Sequence, residues 1–378
     1  MNPRGLMVIQ QFRPATAGAE LQAERLAKKL VQIGHPMSVL TSLRTPNTPL
    51  EEVMDGVAVR RLPFYMAYWV RRSGVIATFR YLVNNRRNYD VLHVYQMLGH
   101  AVVSVVTARL LRKRCIIKVA CAGEYGDMNA FSSFDDFDLA LKVLHHADAV
   151  VAVSAEVERE LVGWGFSPER IVRIPNGVDT GCFKRTAPPA LRDPIRFALV
   201  GRRHPQKGID VALKAAKLLR DGGLAGRFKL ELYGVDYDAF NYVGMARTLE
   251  VREVVSFLPF QSDMVSVLQG VHCLVLPSRG EGLSNVLLEA MSMELPVIAT
   301  SVSGTVDVVT DGEDCILIPP ESPEALAKAM STIIRYPEFA HTLGKNARSK
   351  VERSFSLDLV ARQYSELYRA LCSSGRTN

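Results

Sequence analysis

The stretch Pro277–Pro296, PSRGEGLSNVLLEAMSMELP, places two acidic residues, Glu281 and Glu289, eight positions apart. The apolar run Cys273–Leu276 precedes it and predicts a buried strand that ends in a polar turn. On one continuous helix the two acids would lie about 80° apart, from 3.6 residues per turn. Ser284 is a favourable N-cap, so we place Glu281 in the loop and begin the helix near Ser284. Glu289 then lies roughly 7 Å further along that helix, at 1.5 Å per residue.

The loop between the two acids is suited to binding an anion. Amides at the start of a helix have no intrahelical acceptor, and the helix dipole favours negative charge there. We therefore predict a donor-phosphate site formed by the amides of Gly282, Leu283 and Ser284. Glu281 and Glu289 flank this site, and their carboxylates can accept hydrogen bonds from hydroxyl groups. A phosphorylated sugar or nucleoside presents both kinds of group.

The segment EGLSNVLLEAM at 281–291, followed by PVIAT at 296–300, resembles the E-x7-E signature of the family-4 retaining glycosyltransferases. Members of that family have the GT-B fold, with two facing Rossmann-like domains. The resemblance implies that Glu281 lies at the donor sugar and that Glu289 accepts the ribose hydroxyls of the nucleotide. On spacing alone, an exposed loop acid and an ordinary helix acid are the alternative.

Length and composition indicate a globular protein of two domains. The chain has 378 residues, is 48% hydrophobic and 22% charged, and contains no uninterrupted apolar run of membrane-spanning length. Its start, MNPRGLMVIQQF, leads directly into an apolar strand and lacks a signal-peptide pattern. The six cysteines are scattered without a CxxC pair, which favours buried thiols over disulfides or a zinc site. We therefore predict a cytoplasmic protein without a bound metal.

The formal net charge of +7 is compatible with nucleic acid, an anionic membrane or phosphorylated substrates as partners. No nucleic-acid module is recognisable, which argues against nucleic acid. The segment Phe64–Arg87 interleaves aromatic residues with arginines, a pattern typical of proteins at the interface of an anionic bilayer. We predict that this segment binds the inner face of the membrane peripherally. A helix whose aromatic residues lie in the domain core is the alternative.

The first half of the chain begins with a Rossmann-like pattern. A predicted strand, Leu6–Phe12, leads through a loop to Gly18, which opens a helix, and a second strand follows at Met37–Thr41. The segment TAGAELQAERLAKKLVQIGHPMSVLT resembles the N-terminal segment of the family, in which a Gly-Gly turn is usual. Here Ala17 replaces the first glycine, so the resemblance assigns the donor phosphate to Gly18 alone.

Two candidate acceptor residues follow in the same half. His93 lies near the end of the predicted strand Asp90–Tyr95, and Glu124 lies in the loop AGEYGDM after the predicted strand Cys115–Cys121. In the family this loop often carries a histidine near the reacting sugar, and that histidine is absent here. We name His93 as a candidate acceptor contact and Glu124 as a candidate for acid or base catalysis at the acceptor. A hydrogen-bonded strand-end histidine and a solvated acid are the alternatives.

The second half opens with another strand, loop and helix, and the loop is GRRHPQKG at 201–208. It presents Arg202 and Lys207 at a strand-to-helix turn, where the helix N-terminus adds partial positive charge. Arginine can bind phosphate oxygens through two hydrogen bonds, and lysine supplies a compact charge. The loop resembles the G-R-x(n)-K-G segment of the family, which implies that both residues neutralise the leaving nucleoside diphosphate. A solvated basic loop is the alternative.

The resemblance covers nearly the whole chain and implies an α/β protein of two facing Rossmann-like domains. It places the nucleotide base near the strand ends at Gly234, Leu258 and Phe260. The expected organisation is an acceptor domain at 1–185, a nucleotide-sugar donor domain at 186–355, and a C-terminal helix at 356–378 that returns to the first domain.

The expected reaction moves a sugar from a nucleotide-sugar, with UDP as the expected carrier, to a glycan or lipid-linked hydroxyl acceptor. We place it in cell-surface polysaccharide or glycolipid synthesis. Fixed positive charge would stabilise the leaving diphosphate, so no metal or cofactor is expected. Retention normally suggests a carboxylate nucleophile, whereas the resemblance points to same-face attack, and both routes stay open.

Other classes of protein fit parts of the pattern. An epimerase or hydrolase of sugar nucleotides on the same fold would turn over the donor alone. A non-catalytic relative would bind nucleotide and transfer nothing, and the departures at Ala17 and after Cys121 keep it open. No GxGxxG opens either half, which argues against an NAD-dependent dehydrogenase.

Overall fold

The computed structural model describes residues 2–14, 17–63, 72–132, 136–187, 191–235 and 240–373. The chain divides into two compact units. The first comprises the chain up to Gly177 together with the segment from Leu357 onward, and the second is Val178–Ser356. Each unit is built on one largely parallel β-sheet, which confirms the predicted α/β class.

The described strands of the first unit are β1 (Gly5–Val8), β2 (Met37–Ser42), β3 (Glu51–Met54), β4 (Val57–Leu62), β5 (Val91–Tyr95), β6 (Arg114–Val119), β7 (Ala149–Ala152) and β8 (Ile171–Arg173). They form one sheet in the order β3-β4-β2-β1-β5-β6-β7-β8. The pairing of β3 with β4 is antiparallel, and the other pairs are parallel. Every residue of β1, β5 and β7 is buried, as in strands whose two faces are both covered.

Helices connect these strands. Those of the described residues are α1 (Gly18–Gln32), α2 (Arg72–Asn84), α3 (Gly99–Leu110), α4 (Asp127–Ser132), α5 (Phe137–Leu144) and α6 (Ala155–Gly163). Helix α1 begins at the predicted glycine, and the Ala17 amide donates a 3.1 Å hydrogen bond to Glu20 Oε2 at its first turn. Residues 64–71 of the predicted membrane segment lie outside the described residues, and the rest of that segment is α2 and the turn after it.

The second unit repeats this plan. Its described strands are β9 (Ile195–Val200), β10 (Phe228–Tyr233), β11 (Val255–Leu258), β12 (Cys273–Leu276), β13 (Val297–Thr300) and β14 (Ile316–Ile318). All neighbouring pairs are parallel, in the order β11-β10-β9-β12-β13-β14. Its described helices are α7 (Ile209–Leu219), α8 (Tyr242–Thr248), α9 (Met264–Gly270), α10 (Asn285–Ser292), α11 (Pro323–Arg335) and α12 (Pro337–Ser354).

Strand order in the second sheet reverses beside β9. Strands β10 and β11 follow on one side of it, and β12, β13 and β14 follow on the other. Open α/β sheets bind ligands outside the carboxyl ends of the strands at such a reversal, because the two connecting loops diverge there and leave a crevice. A ligand site is therefore expected at the loops that follow β9 and β12.

The final described helix, α13 (Leu357–Ser373), belongs to the first unit. Its side chains Val360, Ala361, Tyr364 and Tyr368 are buried in the same apolar cluster as Met7 of β1. Deeply buried aromatic rings contribute large apolar areas to a core. Helix α13 therefore completes the core of the first unit, although the whole second unit lies between it and the rest of that unit in the sequence.

Two further predictions from the sequence were wrong: an edge strand at Val57–Leu62 after a loop at Arg44–Asp55, and a helix after the turn at 301–307. Val57–Leu62 is not an edge strand, because Glu51–Met54, expected as a loop, pairs with it and becomes the edge. The turn at 301–307 was expected to lead into a helix, but residues 303–308 form successive turns instead. Gly304 there has φ +73°, and a Cβ on it would lie 1.8 Å from the carbonyl oxygen of Gly282. The segment therefore follows the backbone of the neighbouring loop rather than coiling away from it.

Candidate functional site

Two loops meet at the carboxyl ends of β9 and β12. Helix α7 begins after Gly208, whose φ of +60° suits glycine, and a Cβ there would lie 1.9 Å from the carbonyl oxygen of Pro277. A Cβ on Gly234, at the end of β10, would similarly lie 1.8 Å from the carbonyl oxygen of Gly201. Only glycine allows backbones to approach this closely, so these positions set how tightly the site loops pack.

An ion pair at the predicted site joins the two loops. Lys207 Nζ lies 2.6 Å from Glu281 Oε1, and the same oxygen accepts a 2.7 Å hydrogen bond from Ser278 Oγ. The side chains of Lys207 and Glu281 are only 16% and 8% exposed. The structure thus brings together two residues, 74 positions apart, that were predicted separately as a phosphate ligand and a sugar ligand.

Further positive charge surrounds this pair. Arg202 is exposed on the same loop as Lys207. Burial lowers the pKa of His204, and the positive charges of Arg202 and Lys207 lower it further, so the three groups are close enough to interact. His204 Nδ1 accepts a 3.2 Å hydrogen bond from the amide of Gln206, so its neutral ring carries the proton on Nε2. The loop therefore concentrates permanent positive charge beside a histidine that stays neutral.

Helix α10 begins as predicted, with Ser284 in the N-cap position and Asn285 as its first residue. The amides predicted as a phosphate site, those of Gly282, Leu283 and Ser284, lie directly before this helix, where its dipole is positive. Glu289 lies within α10 and is 3% exposed. The predicted ribose ligand is therefore a buried carboxylate, while the predicted phosphate site is at the helix start.

The residues predicted near the base lie at the ends of two neighbouring strands. Gly234 follows β10, and its amide donates a 3.2 Å hydrogen bond to the carbonyl of Leu258, the last residue of β11. Arg203 lies nearby, with its guanidinium carbon 5.1 Å from the centre of the Phe257 ring. Phe260 is 49% exposed just beyond β11. The assignment of a base to this edge stays a prediction.

The candidate residues of the first unit lie in different settings. Gly18 is exposed as the first residue of α1. His93 is fully buried within β5, and its Nδ1 is 2.8 Å from the hydroxyl of Tyr368, so it serves as a packing contact for α13. Burial holds the pKa of His93 well below its usual value, and the ring is neutral. Its role as an acceptor ligand stays a prediction.

Glu124 is exposed in a short turn after β6, where its carbonyl oxygen accepts a 2.7 Å hydrogen bond from Asn129 Nδ2. The acid with a shifted pKa in this loop is Asp127, which sequence reasoning did not select. Burial raises its pKa to about 6 although the amide of Ala120 donates a 2.8 Å hydrogen bond to it, and the charge of Glu160 adds to the rise. The signal available was its position at the start of α4, three residues after Glu124.

The described ranges contain neither a metal-ligating cluster nor a membrane-spanning helix. No group of three or more histidine, cysteine, aspartate or glutamate side chains there is placed to hold a metal ion. None of the described helices combines the length and the apolar character needed to cross a bilayer.

Comparisons with known proteins cover both units. The family described as "Glycosyl transferase 4-like domain" matches residues 17–177, and "Glycosyl transferases group 1" matches residues 184–350. A D-inositol 3-phosphate glycosyltransferase of Actinosynnema mirum is 31% identical over 57% of this chain and 56% of its own length. The capsular polysaccharide biosynthesis glycosyltransferase CapM of Staphylococcus aureus is 24% identical over 59% of this chain and 61% of its own length.

Among solved structures, HepE of Anabaena, determined with UDP and glucose, superposes with a TM-score of 0.80 at 18% identity. The superposition covers 97% of this chain and all of HepE. The two parallel-sheet units thus have the GT-B fold, and their class is glycosyltransferase. The family matches extend over nearly all of both units, and the chain belongs to the family-4 glycosyltransferases.

Proposed function

We propose that this glycosyltransferase transfers a sugar from a UDP-sugar to a hydroxyl acceptor, with retention of the anomeric configuration, in cell-surface polysaccharide or glycolipid synthesis. The observation that carries the proposal is the buried contact between Glu281 and Lys207, whose loop also presents Arg202. A site with adjacent positive and negative groups matches a sugar nucleotide, which joins a diphosphate to a polyhydroxylated ring. HepE, solved with UDP and glucose, supports the choice of UDP.

The difficult step is breaking the bond between the anomeric carbon and the diphosphate, because negative charge builds on the departing oxygen. Fixed positive groups stabilise that charge without reorganising during the reaction. This fixed positive charge would come from Arg202, Lys207 and the amides preceding α10. Glu281, 2.6 Å from Lys207, would then lie beside the bond that breaks and accept hydrogen bonds from the sugar hydroxyls. Its negative charge would also stabilise a sugar ring that becomes cationic.

The remaining donor contacts follow from the same edge of the sheet. Glu289 would accept the ribose hydroxyls, and Gly234 and Leu258 would lie beside the base through backbone groups. Gly18, His93 and Glu124 of the first unit would contribute the donor-phosphate and acceptor contacts. CapM, named for capsular polysaccharide biosynthesis, supports a glycan acceptor.

The experiment that tests the function is a screen of nucleotide-sugars by thermal shift, followed by a transfer assay. We expect UDP and one UDP-sugar to raise the Tm, because a ligand that binds only the folded state stabilises it. Proton NMR of the product should show the anomeric configuration of the donor. The proposal would be contradicted if no nucleotide raised the Tm. It would also be contradicted if the protein converted the donor to an epimer in the absence of an acceptor.

Activity should not need a divalent cation. Arg202 and Lys207 already place positive charge where the diphosphate leaves, so dialysis against EDTA should leave the initial transfer rate unchanged. The measurement compares rates with EDTA, with added magnesium and with neither. A rate that appears only with added magnesium would show that the charge is supplied by a metal instead.

A surface formed by α2 and α3 supports peripheral binding to anionic lipid. Residues 72–114 contain one acidic residue against eight arginines and lysines. The packed pair α2 and α3 exposes large apolar side chains, Ile76 at 55%, Phe79 at 37% and Leu110 at 66%. Apolar groups among basic ones suit an anionic bilayer, whose headgroups attract the charge while the acyl region accepts the apolar groups.

Vesicle co-sedimentation tests this surface. At low salt we expect binding to phosphatidylglycerol vesicles and none to phosphatidylcholine vesicles, since each basic residue near an anionic surface contributes about 1 kcal/mol. Arg80→Glu with Arg112→Glu should abolish the binding. Arg353→Glu, a charge reversal at another exposed arginine, is the matched control and should bind like the wild type. Wild-type protein that stays in the supernatant with phosphatidylglycerol would exclude the surface.

A further inference from the structure

One arginine outside the predicted site joins the elements that carry it. Arg279 lies two residues before Glu281, and its guanidinium donates to both carboxylate oxygens of Asp210 at 3.0 and 2.9 Å. The same group donates a 2.9 Å hydrogen bond to Glu321 Oε2 and contacts the carbonyl oxygen of Pro205. Arg279 therefore connects the loop after β12 with the loop after β9, the first turn of α7 and the loop after β14.

Backbone and amide groups reinforce this connection. The amide of Arg279 donates a 2.8 Å hydrogen bond to the carbonyl of Gln206. The side chain of Gln206, through Nε2, donates a 3.0 Å hydrogen bond to the carbonyl of Gly280. Gln206 directly precedes Lys207 on one loop, and Arg279 and Gly280 directly precede Glu281 on the other. The separation of the two loops is thus defined by three groups of contacts that include neither site residue.

We propose that Arg279 is a positioning residue that fixes the spacing between Lys207 and Glu281 by holding their two loops in one geometry. The inference rests on the proposed function, in which these residues contact the diphosphate and the sugar of one donor. Two groups that act on opposite sides of a breaking bond must keep a fixed distance, and a misplacement of about 1 Å can lower a rate about 100-fold.

The chemistry of the contact requires arginine. A planar guanidinium presents five N–H donors in fixed directions and can engage a carboxylate with two parallel hydrogen bonds while donating to others. A lysine at this position could keep the charge and one partner, but it could not hold Asp210, Glu321 and Pro205 together. Arg279→Lys therefore preserves the charge but removes the guanidinium contacts that hold Asp210, Glu321 and Pro205 together.

A contribution to overall stability alone would give a different result. The Arg279 and Asp210 side chains are 22% and 23% exposed, and that of Glu321 is 56% exposed. Partial access to solvent limits the stability that these pairs contribute, and lysine at position 279 keeps the positive charge. We therefore expect the Tm of Arg279→Lys to stay close to that of the wild type while its catalytic rate falls.

The experiment measures kcat and KM for the donor that the wild type turns over, together with the Kd for UDP. For Arg279→Lys we expect kcat to fall about tenfold, because the two loops shift relative to each other. The Kd for UDP should rise less than kcat falls, because UDP lacks the sugar that Glu281 contacts and loses only part of its diphosphate contacts when the loops shift. Arg227→Lys, a change at an exposed arginine paired with Asp193, is the matched control and should keep wild-type kcat.

Asp210→Asn supplies the second arm. Because Asp210 and Arg279 belong to one network, the double variant with Arg279→Lys should be no slower than the slower single variant. The inference would be overturned if the fall in kcat of the double variant equalled the product of the two single falls. It would also be overturned if Arg279→Lys kept the wild-type kcat. A parallel loss of Tm, UDP binding and kcat would also overturn it, since that pattern indicates general unfolding.

Failure of the inference and failure of the proposed function are distinguishable. A wild type that binds no UDP and turns over no donor contradicts the function, whatever the variants do. The inference then still faces a structural test, the crystal structure of Arg279→Lys. If that structure keeps the 2.8 Å hydrogen bond from the amide of residue 279 to Gln206 and the 2.6 Å contact of Lys207 with Glu281, Arg279 does not set the spacing.

Discussion

Replacing Arg202 by alanine and Lys207 by methionine in one variant is expected to lower sugar transfer by about 10⁴-fold or more. Removing a single group that stabilises developing negative charge typically costs about 100- to 1,000-fold in kcat. The double variant removes two such groups from one leaving diphosphate. The measurement is kcat for transfer from the donor identified by thermal shift.

The effect of this variant on folding stability has to be separated from its effect on kcat. Lys207→Met leaves the buried carboxylate of Glu281 with the hydroxyl of Ser278 as a hydrogen-bond donor, so the free energy of unfolding should fall by about 1–3 kcal/mol. Arg202 is exposed, so Arg202→Ala alone should keep the Tm while it loses about 100-fold in kcat. Lys214→Ala removes an exposed positive charge from α7 and is the matched control. Wild-type kcat in Arg202→Ala with Lys207→Met would exclude the diphosphate role.

Glu289→Ala is expected to weaken UDP binding by about 100-fold, which corresponds to about 2.7 kcal/mol. Glu289 is a buried carboxylate, and hydrogen bonds from ribose hydroxyls to a charged acceptor contribute about 1.5–3 kcal/mol each. Alanine would leave those hydroxyls without their acceptor inside a closed site. Isothermal titration calorimetry with UDP gives the Kd directly.

The control for this prediction is another buried acid of the same unit. Glu231 is 8% exposed in β10, and its carboxylate accepts a 2.8 Å hydrogen bond from Arg196 Nε. Glu231→Ala should lower the Tm because it leaves an arginine without its partner, yet it should keep the Kd for UDP. Equal Kd values for Glu289→Ala and the wild type would remove the ribose assignment.

Much of the fold could be predicted because its strands are short apolar runs that end at glycine or a polar turn. Cys273–Leu276 has the bounds that were predicted from the sequence. Ser284 marked the start of a helix because its side chain suits an N-cap and an apolar helical pattern follows. These signals are local, so a single sequence contains them.

Features that depend on distant partners could not be predicted in this way. Glu51–Met54 alternates between exposed and partly buried residues and becomes a strand only by pairing with β4. The contact of Lys207 with Glu281 joins residues 74 positions apart, and its 2.6 Å distance follows from how β9 and β12 pair. The role of Arg279 could not be predicted, because its partners lie in the loops after β9 and β14 and in the first turn of α7, which only the folded sheet brings together.

The placement of α13 has a consequence for synthesis on the ribosome. Proteins of this size commonly fold domain by domain, with the N-terminal domain first. Here the apolar interior of the N-terminal unit lacks Tyr364 and Tyr368 until all of Val178–Ser356 has been translated. The unit that is made later is therefore the first that can finish folding. In the meantime the nascent β1–β8 sheet exposes the apolar surface that α13 later covers, and this is a stage at which chaperones can bind.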